Sequence, residues 1–285
     1  MVAIYSNQAS AQTANALHRN DRIMDGIIER LSTGKRINSA SDDPAGLAIA
    51  TRLTSQVNGL NQAARNANNA ISMVQIADNA ADTLDNIFQR MREIVVQAAD
   101  GSNSASDIAL LNTEFTALAE ETDRLVNTTS YNGRNIIDGN ADESGGSSVT
   151  YQVGSNAGIE QTLTINFGDL NLGNGGLGGD FSSWKTAGLG SNFNTTLTDI
   201  DTAISAVATQ RATYGASLNR LEYAVDNLHS ASLTTSIARG RIEDTNYAAE
   251  TAQLAKQQIL EQVGTALLAQ ANIEAKSVLK LLDAN

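Results

Sequence analysis

Carboxylates and histidines are the side chains whose types would suit chemistry, and neither group has the partners that catalysis needs. Asp42 and Asp43 are adjacent acids that could form a carboxylate pair. A helix cap explains them better, because an acid directly before Pro44 is a preferred helix start. His18 and His229 lie within helix patterns and lack a second ligand at helical spacing. The sequence therefore predicts no catalytic residues and argues against an enzyme.

Short motifs between residues 173 and 185 match ligand-binding patterns without the context that binding requires. Residues 173–178 fit the dinucleotide pattern G-x-G-x-x-G, but no helix pattern follows them. Residues 175–180 fit one calcium nonapeptide, and a single copy cannot build a β-roll. Residues 182–185 fit S-x-x-K without the motifs that accompany it in acyl-transfer enzymes. We therefore expect neither a cofactor nor a bound metal ion.

Composition restricts the classes of protein to which this chain can belong. Its 285 residues are enough for one or two domains. The net charge of −12 argues against nucleic acid and anionic membrane surfaces as partners, and no apolar run is long enough for membrane insertion. The lack of cysteine excludes disulfides and thiol chemistry. Residues 1–20 lack the pattern of a cleaved secretion signal, so we expect a cytoplasmic protein or export without cleavage.

Apolar residues in three stretches follow the heptad spacing of packed helices. Between residues 44 and 99 they alternate in steps of four and three with one extra step of three, which indicates a coiled coil with one stammer. The same spacing recurs in 105–129 and 196–235, with a gap at Arg211. A long helix cannot bury its stripe alone, so these rods should pack as a bundle. The positions in the first rod are Leu53, Val57, Leu60, Ala64, Ala67, Ile71, Val74, Ala77, Ala81, Leu84, Phe88, Met91, Val95 and Ala98.

The two ends carry amphipathic helix patterns of a different kind. The C-terminal helix has apolar residues on more than one face, so it needs partners on several sides. Because the rest of the chain cannot supply them all, we infer that the ends pack against other chains. The apolar positions are Leu17, Met24, Ile28 and Leu31 at one end, and Ile259, Val263 and Leu267 at the other.

We predict a mainly α fold, in which a long coiled-coil helical bundle carries a small β-hairpin region and the terminal helices form a separate coiled-coil domain. Residues 147–154 and 161–168 alternate polar and apolar side chains, which indicates the hairpin, and a glycine-rich irregular loop follows. The predicted divisions are terminal helices in 1–32 and 240–285, a connector in 33–43, helical rods in 44–138 and 195–239, and the hairpin and loop in 139–194.

Two long segments resemble a known family. Residues 28–53, IERLSTGKRINSASDDPAGLAIATRL, resemble the N-terminal signature of bacterial flagellin, and residues 238–272, ARGRIEDTNYAAETAQLAKQQILEQVGTALLAQAN, resemble its C-terminal signature. The similarity covers nearly all of 1–138 and 195–282, together with the predicted hairpin. Many flagellins carry large outer domains in the middle of the chain. This chain resembles the minimal members of the family that lack them.

The resemblance implies a structural subunit that self-assembles into the flagellar filament for swimming motility. The terminal helices would line the inner tube, and the rods and hairpin would form the outer tube. Gly34 would end one helix and Asp42, Asp43 and Pro44 would start the next, so that 33–43 joins the two layers. The family further implies export in unfolded form by the flagellar type III apparatus to an extracellular flagellum. Its partners would be a secretion chaperone and the filament cap and hook-junction proteins.

Two alternatives remain open from the sequence. The chain could be a flagellin-like protein of the hook–filament junction. Residues 89–97 also resemble the helix patch that host Toll-like receptor 5 recognises, here Arg90, Ile94 and Gln97, with Glu114 on the next helix. Ile94 stands where the family usually has leucine. The same residues could instead serve only to pack neighbouring copies of the chain in the filament.

Overall fold

The computed structural model describes residues 7–173, 175–190 and 192–283, with side chains described up to Ile273. The predicted segments 1–32 and 240–285 include residues 1–6 and 284–285, which lie outside this range. The helices are α1 (Gln8–Thr33), α2 (Pro44–Ala98), α3 (Ala105–Thr128), α4 (Phe193–Glu243) and α5 (Tyr247–Asp283). The strands are β1 (Ser130–Tyr131), β2 (Arg134–Asn135), β3 (Ser148–Gln152) and β4 (Thr162–Asn166), with short 3₁₀ turns at Ile159–Gln161 and Ser182–Lys185. These elements confirm the predicted fold class.

Backbone contacts divide the chain into two compact units. The terminal unit comprises Met1–Ser55 and Thr234–Asn285, and the middle unit comprises Gln56–Leu233. The divisions therefore fall inside α2 and α4, whereas the predicted boundaries lie at or near the ends of these helices. Among the described helices, none is long and apolar enough to cross a membrane.

The heptad prediction for the rods is confirmed in the middle unit. Every predicted α2 position from Val57 to Ala98 is buried, except Ile71, which is partly buried. The gap at Arg211 on α4 holds an ion pair network, in which the guanidinium lies 3.3 Å from Asp78 Oδ1 and 2.8 Å from Asp82 Oδ1 on α2. The stretches with the same spacing on α3 and α4 also contribute buried apolar residues, among them Phe115, Ile200, Val207, Tyr214, Leu221 and Leu228.

Alanine fills much of the seam of α2. Ala67, Ala70, Ala77 and Ala81 are all completely buried. Small side chains allow neighbouring helix backbones to approach closely, which compensates for the low aromatic content of the chain. Phe88 follows these alanines on α2 and is also completely buried.

The glycine-rich segment after β4 packs into the core of the middle unit, which the prediction of an irregular loop in this part of 139–194 does not address. Its backbone is irregular, but its apolar side chains join the core of the middle unit. The Trp184 ring stacks on Phe181 with centroids 4.6 Å apart and meets the rings of Phe88 and Phe115 edge-on. An irregular backbone gives no apolar periodicity, so the pattern could not reveal this packing. The buried residues are Leu170, Leu172, Leu177, Phe181, Trp184 and Leu189.

The predicted hairpin is confirmed, and a second, smaller one was missed. Strands β3 and β4 pair antiparallel with Val149 opposite Ile165. Strands β1 and β2 pair around Asn132 and Gly133, whose φ angles of 53° and 80° suit a two-residue turn with both central residues left-handed. The helical rod predicted to run to 138 therefore ends at Thr128. The Asn-Gly dipeptide was the available signal.

Candidate functional site

The α1–α5 pair of the terminal unit has a largely polar inner seam on α5. The least exposed α5 residues recur in steps of three and four, but they are mostly not the large apolar residues of that helix. The buried or partly buried residues on the facing side of α1 have the same spacing. They include large apolar residues such as Ile27, which is 1% exposed. The α5 set is Glu250, Leu254, Gln257, Glu261, Gly264, Leu268 and Ala271, and the α1 set includes Leu17, Asn20, Met24, Ile27 and Leu31.

Polar contacts and a glycine hold the two helices together. Arg30 Nε donates to Glu250 Oε1 at 2.7 Å. Asn20 Nδ2 donates to the main-chain oxygen of Gln257 at 3.0 Å, and both residues are buried. A Cβ at Gly264 would stand 2.9 Å from Leu17 Cδ2, so glycine allows α5 to approach α1 closely at this point.

Three apolar residues of α5 form an exposed row, which we call the apolar row: Ile259, Val263 and Leu267. They lie one turn apart and are 60%, 49% and 57% exposed. The predicted assembly residues on α5 are therefore not part of the inner seam. On α1, Ile28 is 50% exposed and Ile27 takes the seam position, while Leu17, Met24 and Leu31 are partly buried. Contiguous exposed apolar surface of this kind marks an interaction site.

The connector between α1 and α2 has the helix signals expected from the sequence. Gly34 ends α1 in the left-handed conformation, with φ at 74°, and its N–H donates to Arg30 O. Asp43 Oδ1 accepts a hydrogen bond from Gly46 N at 2.9 Å, which caps α2 directly before Pro44. Asp42 Oδ2 accepts hydrogen bonds from the N–H groups of Ser39 and Asn38.

These hydrogen bonds from Ser39, and then from Asn38, hold the pKa of Asp42 below its usual range. The carboxylate form therefore favours the folded turn. This contribution is fully present above the ordinary carboxyl pKa and is lost as the pH falls through the lowered value.

Main-chain hydrogen bonds tie the connector to the junction of α4 and α5. Arg36 N donates to Glu243 O at 2.6 Å, and Thr245 N donates to Gly34 O at 3.0 Å. Lys35 Nζ also lies 2.5 Å from Glu243 Oε1. The connector is thus an ordered part of the terminal unit, although it has no helix of its own.

The candidate receptor patch lies in the middle unit, where Arg90, Gln97 and Glu114 are exposed and Ile94 is buried. The Arg90 guanidinium lies 2.8 Å from Glu114 Oε1 and 2.9 Å from Glu93 Oε2, and these bonds raise its pKa further. Gln97 is exposed. Ile94 is completely buried, because it lies on the seam face of α2, so it cannot contact a receptor in this fold. Val96 is the exposed apolar residue beside the patch.

The described part of the chain contains no group of three or more histidine, aspartate or glutamate side chains placed to hold a metal ion. Helix α5 is paired with α1 and still exposes the apolar row. This arrangement is typical of a helical structural protein that associates with further chains.

Comparison with known proteins identifies the family. The bacterial flagellin N-terminal helical region matches residues 4–142, and the C-terminal helical region matches residues 197–282. A flagellin of Halalkalibacterium halodurans is 38% identical over 90% of each chain. That of Bacillus subtilis is 34% identical over 98% of this chain and 99% of its own. This chain therefore belongs to the bacterial flagellin family, the structural subunits of the flagellar filament, and its coverage of these relatives supports the minimal form.

A solved structure shows the fold independently. A flagellar hook-associated protein from Vibrio parahaemolyticus superposes with a TM-score of 0.55 over 71% of this chain and all of its own, at 18% identity. That similarity extends to the fold alone.

Proposed function

We propose that copies of this chain polymerise through the terminal unit, each covering the apolar row of another, to form an extracellular filament. The observation that carries this proposal is the exposure of Ile259, Val263 and Leu267 on a helix that already has one partner. Complete burial of such a side chain is worth about 1.5–3 kcal/mol, and about half of each is exposed, so covering the row gains about 0.8–1.5 kcal/mol for each side chain. The match to flagellins at both ends of the chain favours the filament over the hook–filament junction. The role is structural and involves no catalysis.

Seeded assembly tests this proposal. Purified chain mixed with short filament fragments should sediment, and electron microscopy should show the fragments lengthening. Soluble chain that remains in the supernatant at all concentrations, although its middle unit is folded, would contradict the proposal.

We further propose that the chain leaves the cell unfolded through the flagellar type III apparatus. The lack of cysteine suits a route without disulfides, and the family resemblance supports a chaperone that covers the C-terminal helix before export. The apolar row would be its target, since an exposed row invites premature association. The filament cap and the hook-junction proteins would be the contacts at the two ends of the polymer.

We also propose that the connector biases the filament between alternative shapes. In a Gly34→Ala variant, a Cβ would meet Tyr247 Oη at 2.8 Å, and the left-handed conformation would cost about 1–2 kcal/mol. We expect altered filament curvature in negative-stain images with little change in the melting of the middle unit. Gly26→Ala is the matched control, since its Cβ would make only an ordinary 3.6 Å contact within α1. Wild-type waveform in both variants would show that the connector is a passive tether.

A second candidate function is recognition by Toll-like receptor 5, supported by the exposed Arg90–Glu114 pair. Arg90→Ala should weaken receptor activation about tenfold, as loss of a central arginine often does, because the receptor would lose a charged contact. The melting temperature should hardly change, since an exposed pair stabilises a fold little. Reporter cells expressing the receptor provide the measurement, with Arg65→Ala as the control on the same helix. Equal activation by both variants would rule out this patch.

A further inference from the structure

We infer that two asparagines of α1, Asn7 and Asn20, set the register of α1 against α5. Both donate a side-chain N–H to a main-chain oxygen of α5. Asn20 Nδ2 lies 3.0 Å from Gln257 O, and Asn7 Nδ2 lies 2.9 Å from Ala271 O. The donors are separated by 13 residues and the acceptors by 14, so the two bonds are consistent with one antiparallel alignment.

Asn7 makes two contacts with one amide group. Its Oδ1 accepts from Ser10 N at 3.1 Å and so caps α1, while its Nδ2 donates to α5. The start of α1 is therefore fixed to one position along α5. Asn20 repeats this attachment nearly four turns later, at a buried site where an unpaired amide would be unfavourable.

Apolar packing alone distinguishes poorly between registers of this pair. The inner seam of α5 has leucine only at Leu254 and Leu268, which are two heptads apart, and a slip of seven residues would keep both seams in contact. Small and polar residues occupy most of the positions between them. Besides the close approach at Gly264 and the Arg30–Glu250 pair, the features that can prefer one alignment are the two amide hydrogen bonds.

A slip of one heptad in either direction would place a leucine where Glu261 lies, one turn along α5 from the residue whose oxygen accepts from Asn20. Glu261 follows Gln257 by one turn and lines the same groove as Leu17 of α1. Seven residues earlier this place belongs to Leu254, and seven residues later it belongs to Leu268. The surroundings of the buried amide would then become more apolar, and a polar residue in a coiled-coil seam specifies register at a cost in stability.

Disulfide trapping tests the register, because the natural chain has no cysteine. Leu17→Cys with Gly264→Cys reports the observed register, since Leu17 Cγ lies 3.2 Å from where Cβ of residue 264 would stand. Leu17→Cys with Ala271→Cys reports a slip of one heptad. Each pair is introduced into the full chain in three backgrounds. These are the natural sequence, the Asn20→Leu variant and the Asn15→Leu variant. Asn15 is an exposed asparagine of α1 and is the matched control.

We expect the 17–264 disulfide to dominate in the unchanged and Asn15→Leu backgrounds. In Asn20→Leu, the ratio of the 17–264 to the 17–271 disulfide should fall about fivefold or more, while thermal stability holds or rises. A merely structural role would lower stability and leave the ratio unchanged. The inference is overturned if the ratio in Asn20→Leu equals that in Asn15→Leu, or if the 17–264 disulfide fails to dominate in the unchanged chain. Neither readout requires filaments, so the inference stands or falls independently of assembly.

Discussion

Replacing Val263 with lysine should abolish polymerisation and leave the middle unit folded. Val263 is the centre of the apolar row, with Ile259 and Leu267 one turn away on either side. In the free chain it is 49% exposed, so a lysine there can keep its charge in water. If another copy covers the row, the ammonium group is buried without a partner, at a cost of several kcal/mol in every subunit. Seeded sedimentation and electron microscopy measure the loss, and circular dichroism follows the melting of the middle unit.

Val263→Met is the matched control for this experiment. Its side chain has a similar length to lysine and carries no charge, so steric effects at the site are held nearly constant. We expect the methionine variant to sediment with seeds. Equal sedimentation of the lysine and methionine variants would show that the apolar row stays in water in the polymer.

Deleting residues 266–285 should also abolish polymerisation, because it removes Leu267 with the end of the helix.

Replacing Trp184 with alanine should destabilise the middle unit by about 3–5 kcal/mol. The indole contacts the rings of Phe88, Phe115 and Phe181, so its removal leaves a cavity where the glycine-rich segment meets α2 and α3. Urea unfolding followed by far-ultraviolet circular dichroism provides the free energy of unfolding, and this signal does not depend on tryptophan.

Ile159→Ala is the control for that variant. Ile159 lies between β3 and β4 and is 92% exposed, so its truncation should change the free energy of unfolding by no more than about 0.5 kcal/mol. If Trp184→Ala falls within the same range, the glycine-rich segment contributes little to the core. The difference between the two variants thus measures whether this segment is structural.

The rods could be predicted from the sequence because their packing is apolar and regular. Burial follows the heptad positions of α2 from Val57 to Ala98, and the gap at Arg211 is explained by aspartates on the partner helix. The connector was also predictable, since Gly34 and Asp43 have specific roles at helix ends. In each case the residue types at these positions favour one local structure over the alternatives.

The two terminal helices could be predicted from the sequence, but the faces through which they pack against each other could not. Its inner seam on α5 includes Gln257, Glu261 and Gly264, and such residues give no hydrophobic signal. The apolar stripe instead identified residues that face away from α1. The pattern predicts Ile28 and not Ile27 for the seam of α1, because neighbouring isoleucines fit a helical stripe almost equally well, but Ile27 is the buried one. Sequence patterns show that a face is apolar, and they do not show which chain covers it.

The alanine seam of α2 has a consequence for how freely this sequence can vary. At Ala67, Ala77 and Ala81 the space is already filled, so any larger side chain would force neighbouring helices apart at about 1–3 kcal/mol. Glycine there would weaken the helix itself by about 1 kcal/mol. Each of these positions therefore tolerates few alternatives, whereas an exposed site such as Ile159 tolerates many. Substitutions that leave the subunit folded should therefore accumulate at exposed sites of this second kind.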